Sequence, residues 1–300
     1  MYKRLLVPLD GSRLAESILP VAVFMTRSLK ASVALIHVIE ENPPEQVHGE
    51  QHLRDADQAE AYLHKIANEW FADVSTPETH VHSDKVKNVA QSILQHVGEF
   101  NSDLTLMCTH GRTGAREFLY GSIAQQIAAA AVPVLFVREH SDEFKTEFAL
   151  RKLLVPLDGD RDHEQSIEVA SELALACKCA ISLLTIVPSL KLVSGSWTQS
   201  VRLLPSTTDR LLEMEVEEVS EYLGQQRRQL ISREIAASAE VLRGDPAEEI
   251  INATTAQSID LLVLGTHGTI GAQAFWSGSV AARVARKTVV PVLLVPARSK

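Results

Sequence analysis

Two aspartates, Asp10 and Asp158, each close a Val-Pro-Leu run and precede a glycine. A carboxylate at such a place is an acceptor-only group suited to the paired hydroxyls of a ribose, and open parallel α/β sheets bind their ligands at strand ends of this kind. Asp-Gly is also ordinary turn and helix-capping chemistry, so the aspartates alone decide little. Their company is Gly265-x2-Gly268-x9-Gly278-Ser279. Gly265 leaves the strand end free of a side chain, and Gly268 lets backbone N–H groups come close to a phosphate. Gly278 and Ser279 would open a helix with free amides, a positive dipole end and a hydroxyl donor. The pattern describes a phosphate cradle without a catalytic lysine; a glycine-rich strand-to-helix loop with no ligand is the plainer alternative.

The first half of the chain carries the same pattern with one change, Cys108-x2-Gly111-x9-Gly121-Ser122, in which cysteine stands where the first glycine belongs. Its loop holds Arg112 and Arg116, whereas Thr269–Ser277 contains no cation. Open backbone decides whether a nucleotide can enter, because phosphate charge can also be met by amides, Mg²⁺ and solvent. The second half is therefore expected to bind tightly, and the first more weakly or according to how Cys108 is rotated. A thiol near a helix N-terminus admits a redox reading, although a small hydrophobe at a strand end is the simpler one. His110 and His267 share a Thr-His-Gly context and are expected to shape the loop or touch phosphate. His48 with His52, and His80 with His82, offer two ligands each and no evident third, so no metal site is expected. Cys177 and Cys179 have the wrong spacing for a zinc knuckle or a redox pair and are read as structural.

These residues need elements to hold them. RLLVPLDGS at Arg4–Ser12 is answered by KLLVPLDGD at Lys152–Asp160, Leu104–Ser122 by Leu261–Ser279, and VPVLFV at Val132–Val137 by VPVLLV at Val290–Val295. The chain is thus two copies of one plan. Short β-branched runs alternate with helical patterns in each copy, the mark of βαβ units and a parallel sheet. Strands are expected at Arg4–Leu9, Ser32–Val38, His80–His82, Leu104–Thr109 and Val134–Val137. The second copy repeats them at Lys152–Leu157, Ala180–Val187, Ala239–Leu242, Leu261–Thr266 and Val292–Val295. Helices are expected at Ala15–Ser28, near Gln51–Trp70, near Val89–Glu99 and from Ser122, and Thr208–Leu230 forms the second helix of the second copy. The extra residues of that copy are assigned to Pro188–Thr207, as a longer loop before the helix. A first domain at 1–138, a polar surface linker at 139–150 and a second domain at 151–300 follow. The repeated Val-Pro-Val-Leu strands are expected to pair antiparallel, because each would otherwise leave an unpaired sheet edge.

The 300 residues carry 29 Lys and Arg against 38 Asp and Glu, a net charge of −9. The basic footprint of phosphate-backbone binding is missing, which excludes nucleic acid and disfavours anionic membranes. The longest apolar stretch, Ile127–Val137, is broken by Pro133 and falls well short of the roughly 20 residues of a membrane span. The N-terminus passes from a basic start into a strand with no signal-peptide apolar core, and three cysteines fit a reducing compartment. A soluble, cytoplasmic protein is expected.

Asp158 with Gly265, Gly268, Gly278 and Ser279 reproduces the pattern of nucleotide-binding members of the universal stress protein family, and the whole chain resembles a tandem two-domain member. The resemblance implies an α/β fold: two tandem open five-stranded parallel sheets with helices on both faces, Rossmann-like and similar to the adenine nucleotide α-hydrolases. It also implies ATP or AMP, with or without Mg²⁺, bound between strands one and four for a regulatory role in stress. In the second domain the nucleotide would meet Pro156, Leu157 and Asp158, then Ile186 and Gly244 of the Gly244-Asp245-Pro246 turn. Leu264, Gly265, His267, Gly268, Gly278, Ser279 and Val280 complete that set. The first-domain counterparts are Pro8, Leu9, Asp10, Val38, Met107 and Cys108, followed by Gly111, Arg112, Gly121, Ser122 and Ile123; Ser83-Asp84-Lys85-Val86 lacks the Gly-Asp-Pro turn. Single-domain relatives dimerise through the last strand, which implies an internal pseudo-dimer here, with a further homodimer left open. Hydrolysis, if any, is expected to be slow, since no Walker lysine, arginine finger or positioned base is assignable. Two alternatives stand beside this reading: a nucleotide-free protein-interaction module, and an adenylating enzyme, whose own phosphate signatures are missing.

Overall fold

A computed structural model describes residues 2–43, 45–47, 50–109, 122–130, 132–138, 147–159, 164–187, 205–266 and 279–297. The first half runs β1 (Arg4–Pro8), α1 (Arg13–Glu16), α2 (Leu19–Leu29), β2 (Ser32–Glu40), β3 (Gln46–Val47), β4 (Glu50–Gln51), α3 (Ala56–Trp70), β5 (Glu78–Val86), α4 (Val89–Glu99), β6 (Leu104–Thr109), α5 (Ser122–Ala128) and β7 (Val134–Arg138). The second runs β8 (Lys152–Pro156), α6 (Gln165–Cys177), β9 (Ala180–Val187), α7 (Pro205–Ser232), β10 (Ala237–Arg243), α8 (Pro246–Ala256), β11 (Leu261–Thr266), α9 (Val280–Lys287) and β12 (Val292–Pro296).

Each half contributes five parallel strands, but the two expected sheets merge into one ten-stranded sheet, in the order β10-β9-β8-β11-β12-β7-β6-β1-β2-β5. The junction is the antiparallel pair β7–β12, with Phe136 opposite Val292, Leu135 opposite Leu293 and Val134 opposite Leu294. Pairing the last strands satisfies the backbone groups that two separate edges would expose. Arg138, at the end of β7, donates from Nη1 to the carbonyls of Arg286 and Thr288 at 3.2 and 3.4 Å. Those carbonyls lie where α9 ends, so the cation meets the negative pole of the helix.

Strands such as Leu5–Val7 and Leu153–Val155 are buried on both faces, which is why they read as unbroken apolar runs. Alternate residues serve different cores. Leu5, Val7, Leu35, Leu153 and Leu183 pack with α2, α3, α6 and α7 on one face. Leu6, Ile36, Leu154 and Leu184 pack with α4, α5, α8 and α9 on the other. Both cores draw on both halves of the chain. Two aspartates start the halves alike: Asp103 accepts from the Lys3 and Arg4 amides at 2.7 and 3.0 Å, and Asp260 from those of Arg151 and Lys152 at 2.7 and 3.0 Å.

Three departures from expectation have local causes. The helix expected at Ala15–Ser28 is split in two. A proline inside a helix clashes with the carbonyl four residues back, here Glu16, so the helix restarts at Leu19 with Pro20 in its first turn. The second helix of the second copy runs a little past the expected Thr208–Leu230 at both ends, because its helical spacing continues to Pro205 and Ser232. It has 28 residues against 15 in α3, and residues 188–204, where the extra length of that copy is expected, lie outside the described residues. The expected surface linker also ends in the core: Phe148 stands edge-on to Phe24 of α2 with centroids 5.3 Å apart, and Leu150 is 5% exposed. Its apolar residues follow the hydrophobic effect out of an otherwise polar segment.

Candidate functional site

A cavity of about 360 Å³ opens at the carboxyl ends of β1, β2 and β6. Pro8, Leu9, Asp10, Val38, Met107, Cys108, Ser122 and Ile123, each singled out from the sequence, all line it. The local geometry follows from the turn after β1. Gly11 takes φ +89, and Ser12 caps α1 by accepting from the Ala15 amide at 3.1 Å. Asp10 Oδ1 accepts from the Ser12 amide and hydroxyl at 2.9 and 2.6 Å. Turn chemistry therefore occupies one carboxylate oxygen of Asp10, and Oδ2 has no hydrogen bond from the described residues. Leu9 is tied to β2 by its amide donating to Ile36 at 2.9 Å.

Among the lining residues not expected there, three are polar or charged: His37, Glu40 and His52, the last weighed in the sequence only as a metal ligand. His37 sits in a run of buried strand residues and donates from Nδ1 to the Leu9 carbonyl at 2.7 Å, which leaves Nε2 as the acceptor nitrogen. That Nε2 is buried and has no hydrogen-bond partner among the described residues. Burial holds the His37 imidazole below the ordinary histidine pKa, ahead of the opposing effect of the Leu9 carbonyl, so the ring is neutral near pH 7. His52 is almost fully buried before α3 and lies 3.4 Å from Glu40 Oε1. A polar residue inside an apolar strand run was the available signal for His37; nothing local marks His52, which arrives through the chain's return across the strand ends. The segment carrying it also places Glu50 Oε2 to accept from the Arg13 amide at 2.6 Å, and Leu53 against Gly11.

Gly111, Arg112 and Gly121 lie outside the described residues, as do His110, Arg116 and His48. In the second copy His267, Gly268 and Gly278 lie outside them as well. The remaining expected residues take up matching places. Pro156 ends β8, with Leu157 and Asp158 directly after it, and the Leu157 amide donates to Leu184 at 2.8 Å as Leu9 does to Ile36. Ile186 is in β9, and Leu264 and Gly265 are in β11. Gly244 precedes Asp245, which caps α8 by accepting from the Glu248 amide at 3.0 Å and pairs with Arg283 of α9 at 2.7 and 3.0 Å. Ser279 caps α9, whose first residue is Val280, and accepts from the Ala282 amide at 3.1 Å. Cys177 and Cys179 are remote from both sites, and burial pushes the Cys179 thiol up to about 12. No helix among the described residues is long and apolar enough to cross a membrane.

Comparison with known proteins agrees with this plan. The family model described as "Universal stress protein family" matches residues 1–138 and again 149–296. A universal stress protein of Methanocaldococcus jannaschii is 29% identical over 153 residues, covering 48% of this chain and 86% of that protein. YxiE of Bacillus subtilis, a universal stress protein, is 25% identical over 144 residues, covering 48% and 97%. Among solved structures, a universal stress protein from Archaeoglobus fulgidus superposes with a TM-score of 0.68 at 16% identity over 98% of this chain and 96% of that one, which bears on the fold alone. With two family matches that together span nearly its whole length, the chain belongs to the universal stress protein family as a tandem two-domain member.

Proposed function

We propose that this protein is a stress-response regulatory module that binds an adenine nucleotide, ATP or AMP, at the strand ends of each half. The observation that carries the reading is the cavity of about 360 Å³ in which Asp10, Val38, Met107, Cys108 and Ser122 converge. Its volume falls at the lower end of the roughly 300–1,000 Å³ of small-molecule sites. Its chemistry also fits: Ile36, Val38, Val89 and Ile93 offer apolar contact for a base. Asp10, on the cavity wall, keeps Oδ2 as an acceptor suited to ribose hydroxyls. Ser122, the first residue of α5, adds a hydroxyl to the lining. A bound nucleotide brings its own phosphates and any Mg²⁺; this chain's residues bind and orient it, and no group is assigned to activate water.

In the second half Asp158, Gly265 and Ser279 occupy the corresponding strand and helix ends, and the absence of a side chain at Gly265 favours tighter binding there than beside Cys108. The test is mass spectrometry of small molecules released from the purified full chain, with calorimetric titration of ATP and AMP into wild type, Asp10→Ala and Asp158→Ala. Retained adenylate and loss of one binding event per variant would support the reading. No retained nucleotide and no measurable affinity would overturn it and favour an interaction module instead.

A further inference from the structure

Away from the nucleotide cavity's polar end, β5 and α4 bring three histidines together. His80 and His82 are two residues apart on one strand and so share a face. The third, His96, comes from α4, which packs on that face, and is 1% exposed. One ligand nitrogen from each of the three lies within 4.8 Å of the others. His96 Nδ1 donates to the Ser92 carbonyl at 2.7 Å, one turn back along α4. That bond leaves the Nε2 lone pair facing His80 Nε2 at 3.1 Å. A carbonyl that accepts from the far ring nitrogen is what orients metal-binding imidazoles. Phe100 backs two of the rings, 5.4 Å from His80 and 6.0 Å from His96 between centroids.

We propose that His80, His82 and His96 form a binding site for one divalent first-row transition-metal ion, with zinc the best match. Two nitrogens on a tetrahedral zinc at about 2.0–2.1 Å stand about 3.3–3.4 Å apart, close to the 3.1 Å between His80 and His96. His82 closes in by a side-chain adjustment of roughly an ångström on the same geometry. Glu99, whose Oε2 is 3.6 Å from His96 Nε2, or water takes the fourth position. Three imidazoles and a carboxylate select zinc, copper, nickel or cobalt over magnesium or calcium, which prefer all-oxygen sites. Without metal the short His80–His96 contact is a hydrogen bond donated by neutral His80; on binding, His80 carries its hydrogen on Nδ1 instead, and no net proton is released from it.

The second copy shows that the fold does not require these side chains. Its equivalent strand pairs Leu242 with Ile186 where β5 pairs His82 with Val38. The place of His80 is taken by Glu240, which accepts from Gln257 at 2.9 Å, and that of His96 by the buried Ala253. A corner that packs well with leucine, alanine and a Glu–Gln bond in one half carries three converging imidazoles in the other. The ion would fasten β5 to α4, whose Val89 and Ile93 line the nucleotide cavity.

Zn²⁺, and separately Co²⁺, titrated into chelator-treated, tag-free full-length protein tests the site, read by calorimetry and by the visible bands of Co²⁺. The expected result is one ion per chain, with His82→Gln and His96→Gln each losing more than the roughly 10–100-fold that removing a hydrogen-bond partner of a ligand costs. His64→Gln, an exposed side chain of α3, and Asp10→Ala keep full affinity. Should His96→Gln fail to fold, the partly exposed His82 decides alone. Wild-type affinity in His82→Gln, or no binding of either ion, would overturn the proposal, and neither result bears on nucleotide binding.

Discussion

Gly11 and Gly159 occupy the same place in the two copies and adopt nearly the same backbone, φ +89 and φ +82. Their surroundings differ. A Cβ at Gly11 would lie 2.8 Å from Leu53 Cγ and 2.9 Å from Cδ1, whereas one at Gly159 meets nothing within 4 Å among the described residues. Alanine at Gly159 should therefore cost only backbone strain, about 1–2 kcal/mol for an L-residue held at positive φ. Alanine at Gly11 adds overpacking of about 1–3 kcal/mol, because the obstructing atoms include the branch carbon of Leu53 and not merely a flexible tip. Scanning calorimetry of the full chain should place the midpoint of Gly11→Ala below that of Gly159→Ala by at least about 2 °C, at roughly 2–4 °C per kcal/mol for large domains. A double-mutant cycle separates the two costs: Leu53→Ala should couple to Gly11→Ala by about 1–3 kcal/mol and be additive with Gly159→Ala. Since Leu53 lies beside the His52 that lines the cavity, Gly11→Ala should weaken nucleotide affinity in the first copy as well. Equal midpoints for the two alanine variants, or no coupling to Leu53, would refute the steric reasoning.

Exchanging the residue that separates the two motifs should exchange their behaviour: Cys108→Gly strengthens the first site and Gly265→Cys weakens the second, measured by calorimetric titration of ATP. Alkylation mapped by mass spectrometry should modify Cys108, on the cavity wall, in a manner ATP suppresses, while Cys179 stays unmodified at pH 8 because burial pushes its thiol up to about 12. The Arg283 guanidinium holds Asp245 below the ordinary carboxylate pKa. A depressed native value contributes stability above the unfolded pKa of about 3.9 that is lost as pH falls through the native one. Arg283→Ala should thus lower stability at pH 7, and the gap from wild type should narrow as the pH drops below about 4, followed by urea unfolding. Removing the tie at the start of the second half, Asp260→Ala, should cost about 1.5–3 kcal/mol, as expected for hydrogen bonds to a charged acceptor, and the same titration with denaturant measures it.

The strand positions were legible because residues such as Leu153–Val155 are buried on both faces and leave an unbroken apolar run. The convergence of Asp10, Cys108 and Ser122 was legible because each stands at the end of a strand or the start of a helix, and parallel topology gathers such ends. The break before Pro20 was missed by following apolar spacing at Ile18, Ala22 and Met25 while the ring's clash with Glu16 was left out.

Periodicity and repetition, which are properties of neighbouring residues, determined by themselves that this chain is two βαβ copies with a phosphate-type motif in each. The repeated apolar strands Val132–Val137 and Val290–Val295 also foretold the antiparallel pair β7–β12 that joins the two sheets. Two matters were decided only by the tertiary structure. His37, Glu40 and His52 became walls of a cavity. His96 on α4 was laid over His80 and His82 of β5. The physical reason is common to both: spacing along the chain says which face a residue occupies, but the residue that face meets depends on how helices pack across the sheet, and side chains far apart in sequence come within hydrogen-bonding distance only when the cores on both faces have closed.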